Sequence, residues 1–366
     1  MSDIVELPPN LDHRDLRIAT SPHFVEWLSA HSLSLAVTTY QSNRLFLIGV
    51  GTSGKLSISA LSLNRPMGLF AAPPRLTITT LYQIWHLENI IPEGETHQGF
   101  DRLYMPRTGF TTGQLNVHDL VIDKDDELFF INTRFNCLAT LSARGSFRMR
   151  WKPKFISSLV PEDRCHLNGL ALVDGKPRHT TCVSRSDQSG GWRNERLRGG
   201  CVIDITTDEV ICENLSMPHS PRFQNEKLWL LNSGQGDLGY VDLCSGRFEP
   251  IAFLPGYCRG LAFANDSAIV GLSKPRGNGA LTGLPFEDRM ARGSDDFKCG
   301  LWVVELNRGA ISHWLQFEGL IGELYDVQVL KGVTRPGAIG FESLDIRRHI
   351  LVETESSVAP QLMDIR

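Results

Sequence analysis

Long apolar runs are missing from this sequence. No stretch reaches the roughly 18 consecutive apolar residues that a membrane-spanning helix requires. The start, MSDIVELPPN, lacks the apolar core of a secretory signal. An excess of one charge is missing too, because the net charge is −4 over 366 residues and like charges form no blocks. These absences argue against a membrane surface or nucleic acid as a partner.

Paired cysteines and the familiar catalytic motifs are also lacking. The eight cysteines form no C-x-x-C pair, so we expect reduced thiols in a cytoplasmic protein. The sequence contains no G-x-S-x-G, no Walker sequence and no H-E-x-x-H. Function must therefore be inferred from residues that the fold brings together.

What the sequence does contain is a series of short apolar segments that resemble one another. They are rich in Val, Ile, Leu, Phe and Thr, and Gly, Asn, Ser and Asp separate them, which is typical of strands and turns. Helical periodicity is confined to about 22–31 and about 285–292. The segment HLNGLAL at 166–172 recurs at intervals of about 40 to 66 residues. Alignment of its relatives gives six equivalent residues: Met67, His118, Asn168, His219, Arg259 and Tyr325.

This repeat predicts an all-β fold, a six-bladed β-propeller with a seven-bladed one as the alternative. Residues 34–61 provide outer strands without an inner one, and 322–330 provide an inner strand with little after it. We expect the N- and C-terminal strands to pair in one blade and close the ring, which removes exposed sheet edges. The predicted limits are an N-terminal segment with a short helix at 1–33, the propeller at 34–351 and a tail at 352–366.

The first strand of each blade should line the central channel, where the aligned residues would form a polar ring. His118, His166 and His219 come from successive blades and are candidate ligands of a divalent ion such as Zn²⁺ or Ca²⁺. Glu323 is a candidate fourth ligand or general base, with Tyr325 assisting. Two alternatives stay open. The same side chains could act as acid–base groups without a metal, or they could fill a wet channel.

Arginines flank the inner-strand segments, and guanidinium groups match the oxygens of carboxylate, phosphate or sulfate. We therefore expect a small anionic ligand at the channel mouth. The alternative is that the arginines pair with nearby carboxylates and hold loops. Trp192, in the long loop 184–200, is a candidate lid over the ligand, or simply part of a solvated hairpin. The predicted ligand-binding residues are Arg65, Asn168, Arg222, Arg259, Arg276 and Trp192.

Two resemblances support the propeller. The inner segment Asn168–Ala171 resembles the N-G-L-A strand of the gluconolactonase, luciferin-regenerating and strictosidine-synthase-like six-bladed propellers. That resemblance implies a divalent cation in the channel, held by Glu and Asn or Asp, and only Asn168 matches those ligands. More of the chain resembles an uncharacterised family of conserved bacterial proteins. Its motifs here include EDRCHLNGLA (162–171), MPHSPR (217–222) and LNSGQG (231–236). This second resemblance implies no reaction.

These observations favour an enzyme with its active site at the mouth of the channel. We expect a small anionic or carbonyl-bearing metabolite, sugar or peptide as substrate, and hydrolase, lyase or isomerase chemistry, with or without a metal. The alternative is a propeller that binds a ligand or a protein partner without catalysis, because the fold hosts both kinds of function.

Overall fold

Strands dominate the computed structural model, which describes residues 17–275, 282–293, 296–352 and 361–364. The described chain begins with strand β1 (Arg17–Thr20) and helix α1 (Phe24–Ala30). The outer strands of blade 1 follow: β2 (Leu33–Thr39), β3 (Arg44–Val50) and β4 (Leu56–Ser62).

Five further blades follow along the chain, each beginning with its innermost strand. Blade 2 contains β5 (Leu69–Ala72), β6 (Arg75–Thr79), β7 (Gln83–Asn89) and β8 (Arg102–Thr111). Blade 3 contains β9 (Val117–Ile122), β10 (Leu128–Asn132), β11 (Cys137–Thr140) and β12 (Arg148–Trp151). Blade 4 contains β13 (Leu167–Val173), β14 (Lys176–Cys182), the short helix α2 (Trp192–Glu195), β15 (Gly200–Asp204) and β16 (Val210–Leu215).

Blades 5 and 6 complete the repeat. Blade 5 contains β17 (Pro218–Gln224), β18 (Lys227–Asn232), β19 (Asp237–Asp242) and β20 (Arg247–Phe253). Blade 6 contains β21 (Tyr257–Ala264), β22 (Ser267–Ser273), helix α3 (Pro285–Gly293), β23 (Gly300–Glu305) and β24 (Ala310–Glu318). Strand β1 adds a fifth, outermost strand to blade 6 by pairing with β24.

The ring closes as the sequence predicts, with six blades. Strand β25 (Asp326–Lys331) is the innermost strand of blade 1 and pairs antiparallel with β2, so that Val327 faces Val37. Strand β26 (Pro336–Ala338) then adds to β8 of blade 2 in parallel. A 3-10 turn (Leu344–Arg347) and a hairpin of β27 (His349–Val352) and β28 (Gln361–Asp364) end the described chain. The limits of the N-terminal segment, the propeller and the tail given above remain a prediction.

The core lies between the blades. Six apolar clusters each join the facing sheets of two neighbouring blades in the described structure. One example is the packing of Leu35 and Phe46 of blade 1 against Ile269 and Leu301 of blade 6. Because a blade is covered on both faces, strands such as β2 are buried along their whole length. Burial on both faces explains why these strands are continuous apolar runs in the sequence rather than alternating ones.

Polar side chains join successive inner strands. In three places, the side chain of the residue after the aligned position accepts a hydrogen bond from a backbone N–H of the next blade. Asp119 accepts from Leu170 at 3.0 Å, Ser220 from Gly260 at 3.0 Å, and Asp326 from Leu69 at 3.0 Å. Such bonds fix the register between blades that share no β-sheet pairing, and they hold the channel walls in place.

Candidate functional site

The aligned residues lie where the inner strands begin, at one end of the channel, which we call the mouth. Three of them are in contact there although they come from different blades. The ring centroids of His118 and Tyr325 are 5.7 Å apart, and the Arg259 guanidinium carbon lies 4.7 Å from the Tyr325 centroid. The structure therefore places blades 3, 6 and 1 around one polar cluster.

The backbone before four of the six inner strands is unusual and changes which side chains meet. Arg65, Asn116, His166 and Met217 have positive φ angles between 48° and 52°. Non-glycine residues rarely adopt this left-handed conformation, and it often marks functional sites. Simple alternation would place His166 and Asn168 on the same strand face. Because the chain turns at His166, the two side chains do not share a face. Instead, the His166 ring contacts His118 of the preceding blade, with centroids 4.7 Å apart.

His118 presents a neutral imidazole with a defined tautomer. Its Nδ1 lies 2.9 Å from the carbonyl oxygen of Asn116 and 2.7 Å from the hydroxyl of Thr133, which itself donates to Leu167 O. A carbonyl only accepts, so we assign the hydrogen to Nδ1 and the lone pair to Nε2. Burial, together with the nearby His166 and Arg259, holds the pKa of His118 well below 6.5.

His219 follows the same pattern two blades further on. Its Nδ1 lies 2.8 Å from the carbonyl oxygen of Met217, so Nε2 again carries the lone pair. Burial and the positive charge of Arg259 hold the pKa of His219 well below its ordinary value. Its ring packs edge to face on Tyr257, with centroids 5.8 Å apart.

His166 differs because a carboxylate holds it. Its Nδ1 lies 3.0 Å from Asp163 Oδ2, and that oxygen also accepts the indole N–H of Trp192 at 3.1 Å. Burial works to raise the pKa of Asp163, but the charge and hydrogen bond of His166 outweigh it, so the pKa is lowered. An ionised Asp163 orients the imidazole, as the carboxylate does in acid–base dyads.

Arg259 supplies positive charge to the cluster. Its guanidinium carbon lies over both Tyr325, at 4.7 Å, and Tyr257, at 5.5 Å from the ring centroids. Cation–π contacts of this kind orient an arginine without neutralising it. Glu323 accepts a hydrogen bond from Tyr40, whose ring packs edge to face on Tyr325. The mouth therefore combines Arg259, a cation stacked on two tyrosines, with three imidazoles.

Arg222 is not at the mouth, in contrast to its predicted anion-binding role. It lies deeper in the channel and donates to Asp119 Oδ2 at 2.8 Å, while its other terminal nitrogen is 3.6 Å from Asp326 Oδ1. Burial raises the pKa of Asp326 to about 7 in spite of this arginine. We call these three residues the plug, because they join blades 3, 5 and 1 across the channel.

The remaining predicted residues have mixed placements. Arg65 is half-buried, and its backbone N–H donates to Asn43 Oδ1. Arg276 lies outside the described residues. Trp192 is only 4% exposed and packs on His166, with centroids 4.2 Å apart, so it is a wall of the site rather than an open lid. Arg164 follows the alternative interpretation, because it holds the loop through Glu162 and Asp187.

The three histidines do not fit a three-imidazole metal site. In the parts of the chain that the structure describes, no three His, Cys, Asp or Glu side chains are grouped so that they could hold an ion. His118 contacts His166 edge to face, whereas His219 contacts Tyr257 instead. The described residues thus offer no ligand set for Zn²⁺ or Ca²⁺ at the mouth.

Two features of the site are not evident from the sequence. The sequence indicates Asp163 only as a partner for an arginine, although it lies three residues before His166, where a turn brings the two side chains together. The helical pattern at about 285–292 does not indicate what helix α3 covers. Its buried residues Phe286 and Met290 pack with Met217, Trp192 and Tyr257, and so cover the mouth.

The opposite end of the channel has a different character. There the ends of all six inner strands surround a cavity of about 370 Å³, which we call the funnel. Phe70, Phe223 and Phe263 line it together with aliphatic side chains, and Arg222 of the plug reaches it. The three imidazoles, Asp163 and Arg259 lie at the mouth and do not line this cavity.

A family model described as "Domain of unknown function (DUF4915)" matches residues 22–339. No curated protein matches the sequence. Among solved structures, a chain of the nidogen/laminin complex is similar over 82% of this chain and 99% of its own, with 10% identity and a TM-score of 0.52. A virginiamycin B lyase from Staphylococcus aureus, solved with quinupristin, is also similar over 82% of this chain and 99% of its own, with 10% identity and a TM-score of 0.40.

At such low identity the likeness to the nidogen/laminin chain concerns the fold alone, and it agrees with the propeller described above. Within the described part of the chain, no helix has the length and apolarity to cross a membrane.

Proposed function

The chain belongs to the DUF4915 family, whose description names no activity, and we propose that it is an acid–base enzyme acting on a small anionic metabolite at the channel mouth. The observation that supports this most directly is the series of side-chain contacts at the mouth, which we call the contact series. It runs through His166, His118, Tyr325, Arg259, Tyr257 and His219. It contains a dyad of His166 and Asp163, two neutral imidazoles with free Nε2 lone pairs, and the stacked cation Arg259.

Each group has a role that follows from its surroundings. Arg259 binds the anionic group, because its charge is desolvated and faces aromatic rings rather than a carboxylate. The neutral Nε2 of His219 or His118 accepts a proton, since burial keeps both imidazoles unprotonated near neutral pH. His166 is assigned the role of proton donor, because Asp163 accepts from its Nδ1 and orients the ring. A base and an acid on one bound anion serve hydrolysis, elimination and isomerisation alike.

The proposal is tested by metabolite profiling. The purified protein is incubated with a protein-free extract of small anionic metabolites, and negative-ion mass spectrometry follows which anions disappear. We expect the wild-type protein to consume one class of anion and form its product. Asp163→Asn should slow this roughly 100-fold or more, because the dyad loses its carboxylate. His179→Gln is the matched control, since His179 is buried in β14 and has no described contact with this cluster.

Two outcomes would contradict the proposal. If Asp163→Asn and the wild-type protein consume the same anion at equal rates, the dyad has no catalytic role. If no anion is consumed but one binds, the protein is a ligand-binding propeller instead.

A further inference from the structure

Four buried polar atoms without a hydrogen-bond partner occur at the same repeat position of four successive blades. They are Asn168 Nδ2, His219 Nε2, Arg259 Nε and the Tyr325 hydroxyl. Their residues are only 3%, 3%, 9% and 4% exposed. An unpartnered buried polar atom costs free energy, so native structures contain few of them. Four at one ring of one channel indicate partners that a ligand supplies.

The chemistry of these atoms describes that ligand. The amide nitrogen of Asn168 and the guanidinium Nε of Arg259 are donors, and the hydroxyl of Tyr325 can donate as well as accept. His219 Nε2 is an acceptor, because Nδ1 carries the hydrogen that bonds to Met217 O. A complementary ligand therefore brings several acceptor oxygens and one donor group. We infer that the mouth binds a carboxylate with a hydroxyl on the neighbouring carbon, a 2-hydroxy acid.

Charge distinguishes a carboxylate from a phosphate. Arg259 is the cation that stacks on Tyr325 and Tyr257, and His118 and His219 beside it are neutral because of burial, whereas Arg193 stacks on Trp192, next to His166. A carboxylate carries a single negative charge, whereas a phosphate monoester carries more than one near neutral pH. One guanidinium therefore balances the carboxylate.

The position of His219 distinguishes a hydroxyl from an ammonium. Burial and, after it, the field of Arg259 disfavour a positive charge on His219 and lower its pKa. The same field disfavours an ammonium group on the ligand, while a neutral hydroxyl can donate to Nε2 without that penalty. The inference rests on the proposed function, because it specifies the substrate class of the same site.

The experiment measures binding of three probes to the wild-type protein by calorimetry or ligand-observed NMR. The probes are lactate in both enantiomers, propionate and propane-1,2-diol. We expect one lactate enantiomer to bind at least 10-fold more tightly than propionate, and the diol to bind more weakly than either acid. Arg259→Gln should weaken both acids by 10-fold or more, whereas His219→Leu should remove only the preference for lactate. His179→Gln should change none of these affinities.

The outcomes separate this inference from the proposed function. Equal binding of lactate and propionate to the wild-type protein, or a preference for lactate that persists in His219→Leu, would overturn the 2-hydroxy acid and leave the anion site standing. If neither acid binds, or if Arg259→Gln binds both unchanged, the proposed site fails as well. The probes are compared on the wild-type protein, so the test stays decisive even if a variant does not fold.

Discussion

Buried neutral imidazoles at the mouth couple the stability of the fold to pH. The pKa of His118 and of His219 lies well below 6.5 in the folded protein, mainly because burial disfavours the charged form. The unfolded chain then binds more protons than the folded one below pH 6.5. Stability from these residues is therefore complete above pH 6.5 and falls as the pH decreases, by about 1.4 kcal/mol per pH unit for each histidine.

His219→Gln tests this coupling. We expect the free energy of unfolding of the variant to fall less steeply than that of the wild-type protein below pH 6.5, because one protonation site of the unfolded state is gone. The difference between the two slopes should be about 1.4 kcal/mol per pH unit. Urea unfolding at a series of pH values measures it. His23→Gln, at an exposed histidine, is the control and should leave the slope unchanged. Parallel slopes for His219→Gln and the wild-type protein would contradict the buried neutral assignment.

At the scale of elements, helix α3 covers part of the mouth. It covers Tyr257 through Phe286, whose ring centroid is 6.0 Å from that of the tyrosine. Arg289 Nη1 donates to Asp237 Oδ1 at 2.7 Å, and the Phe286 N–H donates to Gly234 O at 2.9 Å. These contacts attach the helix to the β18–β19 hairpin of blade 5. We therefore expect a ligand that reaches His219 to pass this cover.

Loosening α3 should expose the imidazoles. In Phe286→Ala and in Arg289→Gln, we expect diethyl pyrocarbonate to modify His219 roughly 10-fold faster than in the wild-type protein, because less apolar and ionic contact holds the helix down. Peptide mass spectrometry gives the rate at each histidine. His23 is exposed and serves as the internal standard, with equal rates in all proteins. Unchanged modification of His219 would show that access follows another route.

Elements of this protein are predictable from sequence to different degrees. The strands are predictable because each is an apolar run bounded by turn residues, as in β10 with LFFIN and β13 with LNGLALV. The left-handed residues before the inner strands are not, since His166 and Met217 carry no local signal for a positive φ. That conformation decides that His166 meets His118 and Asp163, so strand alternation alone does not predict the dyad.

At the scale of the whole molecule, the six repeats predict the ring and its closure, because only pairing of the two chain ends gives blade 1 a full set of strands. The division of the channel is not predictable in the same way. Arg222 lies in an inner strand just as Arg259 does, yet it reaches across to Asp119 and Asp326 of two other blades. Which arginine meets a carboxylate depends on depth along the channel, and depth is a property of the assembled ring.

The plug gives the whole-molecule prediction, because it joins three blades through buried charge. Arg222→Met leaves two carboxyl groups in the channel without their cation, and breaking a buried ion pair in this way costs about 3–5 kcal/mol. We therefore expect the free energy of unfolding at pH 7.5 to fall by about that amount. Arg308→Met is the control, because Arg308 forms an exposed pair with Glu305 and should change stability by less than about 1 kcal/mol.

The pH dependence of Arg222→Met identifies the cause of the loss. The folded-state pKa of Asp326 is already raised to about 7 by burial, and removal of Arg222 takes away the main charge that opposes this rise. A carboxyl group with a raised pKa in the folded state binds its proton more tightly there than in the unfolded chain. It therefore stabilises the fold at a pH below its pKa in the unfolded chain, and this stabilisation is lost as the pH rises through its pKa in the folded protein. The deficit of Arg222→Met relative to the wild-type protein should therefore shrink as the pH is lowered from 7.5 towards 5. A deficit that stays constant over this range would mean that lost packing, and not uncompensated negative charge, destabilises the variant.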